Sequence, residues 1–337
     1  MSRNPGTCPG TPEPAEHRNI TTPEGVEYSE SIPKEITVKH WPLRPVVLAF
    51  AIPGLILACS GLTVVKNGRV ALGVNSDQAF VDDMQLRVTP GKDGLFGRMC
   101  VARVVVPGWS PMGATCINDR GLAITHANTP PADYPHDPDK PQFRHNLFET
   151  IVAEAATVKQ ALAMVHTYTW PPDHKAGMHM MLVDPSGDTA VVEWVQGEVK
   201  VIRREGPALL MTNSLLSRPE TVGGGPNSRY NRASRMLPQL RDASAASVFS
   251  VLREISVGAV LKGKEVGTLF SVVWDVSDGE LHLVYKRDFD HSRKFNLSEE
   301  LAKGEHSYDL ATLFPNPIPF ETAWRDDNGP VVRKAVK

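Results

Sequence analysis

Cys59 is the residue of this chain best placed to do chemistry. It directly follows an apolar run, residues 46–58 (VVLAFAIPGLILA), that ends in the small residue Ala58. It directly precedes a strand–turn–strand stretch in which Lys66-Asn67-Gly68-Arg69 carries the Asn-Gly signal of a tight hairpin. A cut between Ala58 and Cys59 would give one residue both a thiol and a free α-amine. The ordinary pKa values of these groups, about 8.5 and about 7.7–8.0, set a near-neutral base beside its own nucleophile. Such a residue attacks a carbonyl without a histidine, forms a thioester and releases it to water.

The segment before Cys59 allows three readings. Lys39, His40 and Arg44, followed by a short apolar core and Ala58, have the layout of a secretory signal. Ile56-Leu57-Ala58-Cys59 also has the layout of a loose lipobox; a lipidated Cys59 would lose its thiol, and usually its amine, to the anchor. The third reading is a buried helix that ends in an ordinary cysteine. Thirteen mostly apolar residues are too few to span a bilayer unaided. Residues 1–36, rich in Pro, Glu, Thr and Ser without an apolar period, read as disordered.

Composition removes several classes. A formal net charge of -2 over 337 residues speaks against an electrostatic nucleic-acid binder. There is no Gly-rich phosphate loop and no G-x-S-x-G elbow. The four cysteines, Cys8, Cys59, Cys100 and Cys116, are too few for a disulfide scaffold and fit no zinc spacing. Cys100 and Cys116 lie in apolar surroundings, which favours two buried thiols over a disulfide. No cofactor or metal is expected.

The elements that must position Cys59 alternate in type. Hairpins are expected over residues 62–74 and 112–126, a strand over 99–106, and a long Pro-rich loop over 127–141 with Asn128 at its start. Helices follow at 144–155 and, behind the capping box Thr157-Val158-Lys159-Gln160, from residue 158. Strands are expected at 178–183, 189–195, 198–203 and 208–212, with Asn213 just past a strand end. Helices at 231–241 and 244–255 and a last hairpin over 268–287 complete the pattern. This order favours largely antiparallel sheets with helices outside, an α+β arrangement, over a doubly wound fold.

With these residues in view, the chain resembles the choloylglycine hydrolase and penicillin V acylase group of N-terminal nucleophile (Ntn) hydrolases, and the related acyl-coenzyme A:6-aminopenicillanate acyltransferases. The resemblance runs from Cys59 to about Pro315. It is carried, in order, by Cys59, Gly73-Val74-Asn75-Ser76-Asp77, Ile117-Asn118-Asp119-Arg120-Gly121-Leu122 and Asn128-Thr129-Pro130. Met211-Thr212-Asn213-Ser214, Ser228-Arg229-Tyr230 and Thr268-Leu269-Phe270-Ser271-Val272-Val273 complete it.

The resemblance implies a four-layer αββα sandwich over residues 59–315, after a removed segment 1–58 and before an irregular tail 316–337. It makes Cys59 the nucleophile and Asp77 the group that holds its amine. Asn128 and Asn213 become oxyanion donors, and Arg229 the arginine beside the nucleophile. Val74 departs from the pattern, because an arginine often precedes the Asn there. His126 and His179, in or beside strands, read as structural. The expected activity is hydrolysis of a linear, non-peptide N-acyl amide, with acyl transfer by the same cysteine, or an inactive lipid-anchored binding protein, as alternatives. The expected partner is the small-molecule N-acyl amide substrate; a homo-oligomer stays open. The mature form would be exported, with no membrane span.

Overall fold

The Asn67-Gly68 pair makes the turn its sequence predicts. Both residues have positive φ, 54° and 72°, as a type I′ hairpin requires. They join β1 (Ser60–Lys66) to β2 (Arg69–Ala79), paired antiparallel from Ser60↔Asn75 to Lys66↔Arg69. The computed structural model describes residues 59–79, 83–103, 113–142, 147–171, 174, 176–223, 228–261, 264–315 and 317, all within the compact unit Ile52–Lys337. The disordered and signal-like segment expected at 1–58 lies outside the described residues, as does the tail from 316 apart from residue 317.

The chain continues through β3 (Met84–Thr89), β4 (Arg98–Arg103), β5 (Gly113–Asn118) and β6 (Ala123–Asn128). Two helices follow, α1 (Leu147–Glu154) and α2 (Val158–Thr167). Thr157 caps α2 by accepting from the Gln160 N–H, while the Gln160 side chain accepts from the Ala156 N–H, one residue before the cap. Next come β7 (Met178–Val183), β8 (Thr189–Val195), β9 (Glu198–Arg203) and β10 (Ala208–Met211). Helix α3 (Arg229–Met236) passes into a short 3₁₀ turn, and α4 (Ala245–Ile255) starts behind its cap Ser244. The C-terminal part holds β11 (Gly258–Leu261), β12 (Lys264–Asp275), β13 (Glu280–Tyr285), β14 (Arg293–Asn296), α5 (Leu297–Ala302), β15 (His306–Asp309) and α6 (Leu310–Leu313).

These strands form two antiparallel sheets. Sheet one runs β10-β1-β2-β12-β13-β14, with β11 added to β12; sheet two runs β15-β3-β4-β5-β6-β7-β8-β9. Alternate residues of each strand face opposite ways. Val70, Leu72 and Val74 of β2 meet Met99, Ile117 and Met181 of sheet two in a core between the sheets. On the outer face of sheet two, Ile124 and Leu182 pack on α1 and α2 through Ile151, Val152, Ala161 and Val165. On the outer face of sheet one, Leu62 and Val273 pack on α4 through Val248 and Leu252. The result is the expected αββα sandwich.

Two of the quoted motifs tie these layers together. Asn75 donates to the Leu252 carbonyl of α4 and accepts from the Ser271 hydroxyl of β12. Asn118 donates to the Val152 and Ala155 carbonyls at the end of α1. Both asparagines are fully buried, and their amides satisfy groups that would otherwise be costly to bury.

Three expectations need correction. Cys100 and Cys116 are not two thiols but a disulfide. They are directly opposed partners of β4 and β5, 4.1 Å apart at Cα, a proximity that apolar surroundings alone do not reveal. The hairpin of β12 and β13 is not the last element, since β14, α5, β15 and α6 follow it. β2 does not stop near Val74 but runs through Asp77 to Ala79, because β12 is long enough to pair with it along that length.

Candidate active site

The site is built at the Cys59 end of sheet one. Cys59 precedes the first residue of β1, half-buried against the core between the sheets. Ser60↔Asn75 pairing brings the far half of β2, and so Asp77, alongside it. β10 pairs on the other side of β1, so Asn213, just past its end, also returns to Cys59. Arg229 is the first residue of α3, whose start is set by Ser228: its hydroxyl accepts from the Asn231 N–H.

Arg229 gathers the group. Its Nη1 donates to the Cys59 carbonyl at 3.3 Å, to the Ser60 hydroxyl at 2.7 Å and to Asp77 Oδ2 at 3.1 Å. Its Nη2 donates to Asn213 Oδ1 at 2.7 Å. Asn213 Nδ2 in turn donates to the backbone carbonyl of Asn128 at 2.6 Å. Arg229 can only donate and a carbonyl can only accept, so the Asn213 amide has one orientation. All five candidate residues therefore meet in one hydrogen-bonded chain. Asn128 enters it through its main chain at the end of β6, with its side chain exposed.

Sequence reasoning gave no role to the partner of Asp77. Thr268 of β12 is the register partner of Asp77, and its hydroxyl donates to Asp77 Oδ1 at 2.6 Å. The same hydroxyl accepts from the Val257 N–H. A register shift between Thr268 and Phe270 and a Gly267 at φ 151° accompany this contact. A Cβ on Gly267 would lie 2.2 Å from the Val257 carbonyl oxygen, so only glycine fits there. The signal for Thr268 in the sequence was its place in the quoted motif, without a role.

Val74, where an arginine often stands, is buried in the apolar core between the sheets and contributes no charge. His126 is half-buried on β6 against Phe148 of α1; desolvation of its ring and the neighbouring His179 push its pKa down to about 4.

The electrostatics of the uncut chain are unbalanced. Burial, and then the charge of Asp77, push the Cys59 thiol up to about 11, against the Asp77 N–H, the Arg229 charge and the Ser76 hydroxyl. Burial likewise pushes the Asp77 carboxyl up to about 7, against Arg229 and Thr268. Asp77 is 1% exposed at its side chain, so one guanidinium does not offset its loss of water. Among the described residues no group of three or more His, Cys, Asp or Glu side chains is placed to hold a metal ion. No described helix is long and apolar enough to cross a membrane.

The sandwich is that of the Ntn hydrolases. Conjugated bile acid hydrolase from Clostridium perfringens, in two variant forms, superposes with a TM-score of 0.59 at 14% identity, over 74% of this chain and 96% of that one. Penicillin V acylase from Agrobacterium tumefaciens superposes with a TM-score of 0.59 at 19% identity, over 75% of this chain and 91% of that one. A comparison with curated proteins finds no match. The family model described as acyl-coenzyme A:6-aminopenicillanic acid acyl-transferase matches residues 104–288, more than half of the chain. The chain belongs to that family. The matched stretch holds Asn128, Asn213, Arg229 and Thr268; Cys59 and Asp77 precede it.

Proposed function

We propose that this chain is a cysteine amidohydrolase that cleaves the linear, non-peptide C–N bond of an N-acyl compound after a cut before Cys59. The observation that carries the reading is the single Arg229 guanidinium hydrogen-bonded to Cys59, Ser60, Asp77 and Asn213 at once. The charge imbalance supports it as well. An α-ammonium at Cys59 would place a second cation beside the buried Asp77 carboxylate and draw both pKa values down.

In this mechanism the α-amine takes the thiol proton, and the thiolate attacks the amide carbon. Asn213 already gives one N–H to the Asn128 carbonyl, which leaves its second N–H for the oxyanion; the Asn128 amide is the other donor. The α-ammonium then protonates the departing amine as the C–N bond breaks. Water, deprotonated by the same α-amine, attacks the thioester, and the thiol leaves with that proton. Asp77 holds the ammonium throughout, itself held by Thr268 and Arg229.

The family match supports a second reading, acyl transfer, in which an amine rather than water attacks the same thioester. Export is part of the proposal. It is supported by the signal-like residues 46–58 and by the disulfide, which belongs to oxidising compartments.

Intact-mass analysis and N-terminal sequencing of protein from its native host test the cut. An unmodified N-terminal Cys59 is expected; a diacylglyceryl Cys59, or an uncut chain that is active, overturns the mechanism. Cys59→Ala should keep the fold by circular dichroism and lose turnover of N-acyl amides by on the order of 10⁴-fold or more. Added amine that diverts product from acid to new amide would favour the transferase reading.

A further inference from the structure

His179 and Glu193 are opposed partners on β7 and β8, and both are fully buried. Their neighbours Met178, Met180, Val192 and Trp194 face α1 and α2, whereas Met181 and Val191 face the other sheet. By alternation the pair points between the sheets. Its hydrogen bonds to other described residues lead to the segment just past β10. His179 Nε2 lies 2.7 Å from the Thr212 carbonyl oxygen, and Nδ1 lies 3.2 Å from Glu193 Oε1. A carbonyl only accepts, so Nε2 carries a proton. Glu193 accepts the backbone N–H of Leu216 at 2.7 Å and of Ser217 at 3.0 Å. Burial alone would raise the Glu193 pKa, but the hydrogen bonds from His179, Ser217 and Leu216 lower it.

Residues 212 and 216–217 are thus clamped from sheet two, and the residue between them that enters the site is Asn213. A buried polar pair is a costly way to fill an apolar core. What it adds, and an apolar pair would not, is directional hold on backbone groups beyond the end of a strand ladder.

We propose that His179 and Glu193 are positioning residues that fix the 212–217 turn of sheet one from sheet two, and thereby hold the Asn213 amide where the oxyanion forms; the catalytic part of this rests on the amidohydrolase reading above. The double replacement His179→Met/Glu193→Leu removes both polar side chains and keeps an apolar core. It should lower kcat on an N-acyl amide by about tenfold or more, with KM within about twofold. On an Asn213→Ala background it should cost no further kcat, since its effect runs through Asn213. His179→Gln, which keeps a donor for the Thr212 carbonyl, should recover part of the loss.

A double variant with wild-type kcat, or one as damaging with Asn213→Ala as without it, overturns the proposal. Backbone amide exchange on the full chain separates the two failures. Glu193→Gln should lower protection at Leu216 and Ser217 by about tenfold or more, with β7 unchanged. If Cys59→Ala keeps its turnover, the amidohydrolase reading fails and exchange alone decides the clamp; unchanged protection at both amides overturns it.

Discussion

Asp77 is a carboxyl held near pH 7 in the uncut chain, and this has a signed consequence. Its folded pKa, about 7, is above its ordinary 3.8, so the folded chain binds more protons than the unfolded one between these values. Stability therefore falls as pH rises from about 4 to about 7. His126, lowered from 6.5 to about 4, acts in the opposite sense, because folding then opposes protonation as pH falls. The Asp77 contribution is isolated by comparing the uncut wild-type chain with Asp77→Asn in urea at both ends of the window. The wild-type chain should lose on the order of a few kcal/mol relative to the variant on going to the higher pH; equal changes in both would contradict the buried carboxyl. Asn213 makes a second test. Its amide is oriented by Arg229 on one side and Asn128 on the other, so Asn213→Ala should lower kcat by about 10²–10³ with little change in KM.

The elements matter here by what their ends present. The start of β1 and the end of β10 lie side by side and bring Cys59 to Asn213; α3 begins at Arg229, so its capped first turn aims the guanidinium at both. β12 brings Thr268 to Asp77 directly after Gly267, whose φ of 151° belongs to a region essentially confined to glycine. Gly267→Ala should destabilise the protein by about 1–3 kcal/mol in denaturant melts. It should also lower turnover, because moving β12 from β11 pulls the Thr268 hydroxyl from Asp77. A neutral effect on both would show that glycine is not needed at this position.

At the scale of the whole molecule, two sheets with opposed apolar faces carry the fold, and polar pins cross between them. The Trp274 indole N–H of β12 donates to the Thr115 hydroxyl of β5 at 2.7 Å, and His179 reaches the Thr212 carbonyl in the same manner. Within sheet two the Cys100–Cys116 disulfide closes a loop with a sequence separation of 16. A closure of that length contributes about 3 kcal/mol on the chain-entropy account. Protein from its native host should be two hydrogens lighter than its reduced form by mass, and Cys100→Ala/Cys116→Ala should lose stability of that order. Protein with both thiols free and equal stability would contradict the pairing.

Local signals were legible in the sequence because they act over a few residues. Asn67-Gly68 sets its turn through its own backbone preferences. Thr157 caps the helix behind it, and the apolar spacing of residues 248–255 selects the face of α4 that is buried. The place of Cys59, after an apolar run and before a hairpin, was equally plain, and the ordered motifs pointed to the four residues around it, Asp77, Asn128, Asn213 and Arg229. The tertiary structure alone decided which groups meet. Asp77 and Thr268 are 191 residues apart, and Cys100 faces Cys116 only because β4 and β5 pair in one register. His179 and Glu193 look like ordinary strand residues until two strands pair and a second sheet brings Thr212 to them. Register and sheet packing are set by the sum of many distant apolar contacts, so no local pattern around Cys59 encodes the charges, donors and clamps that surround its thiol.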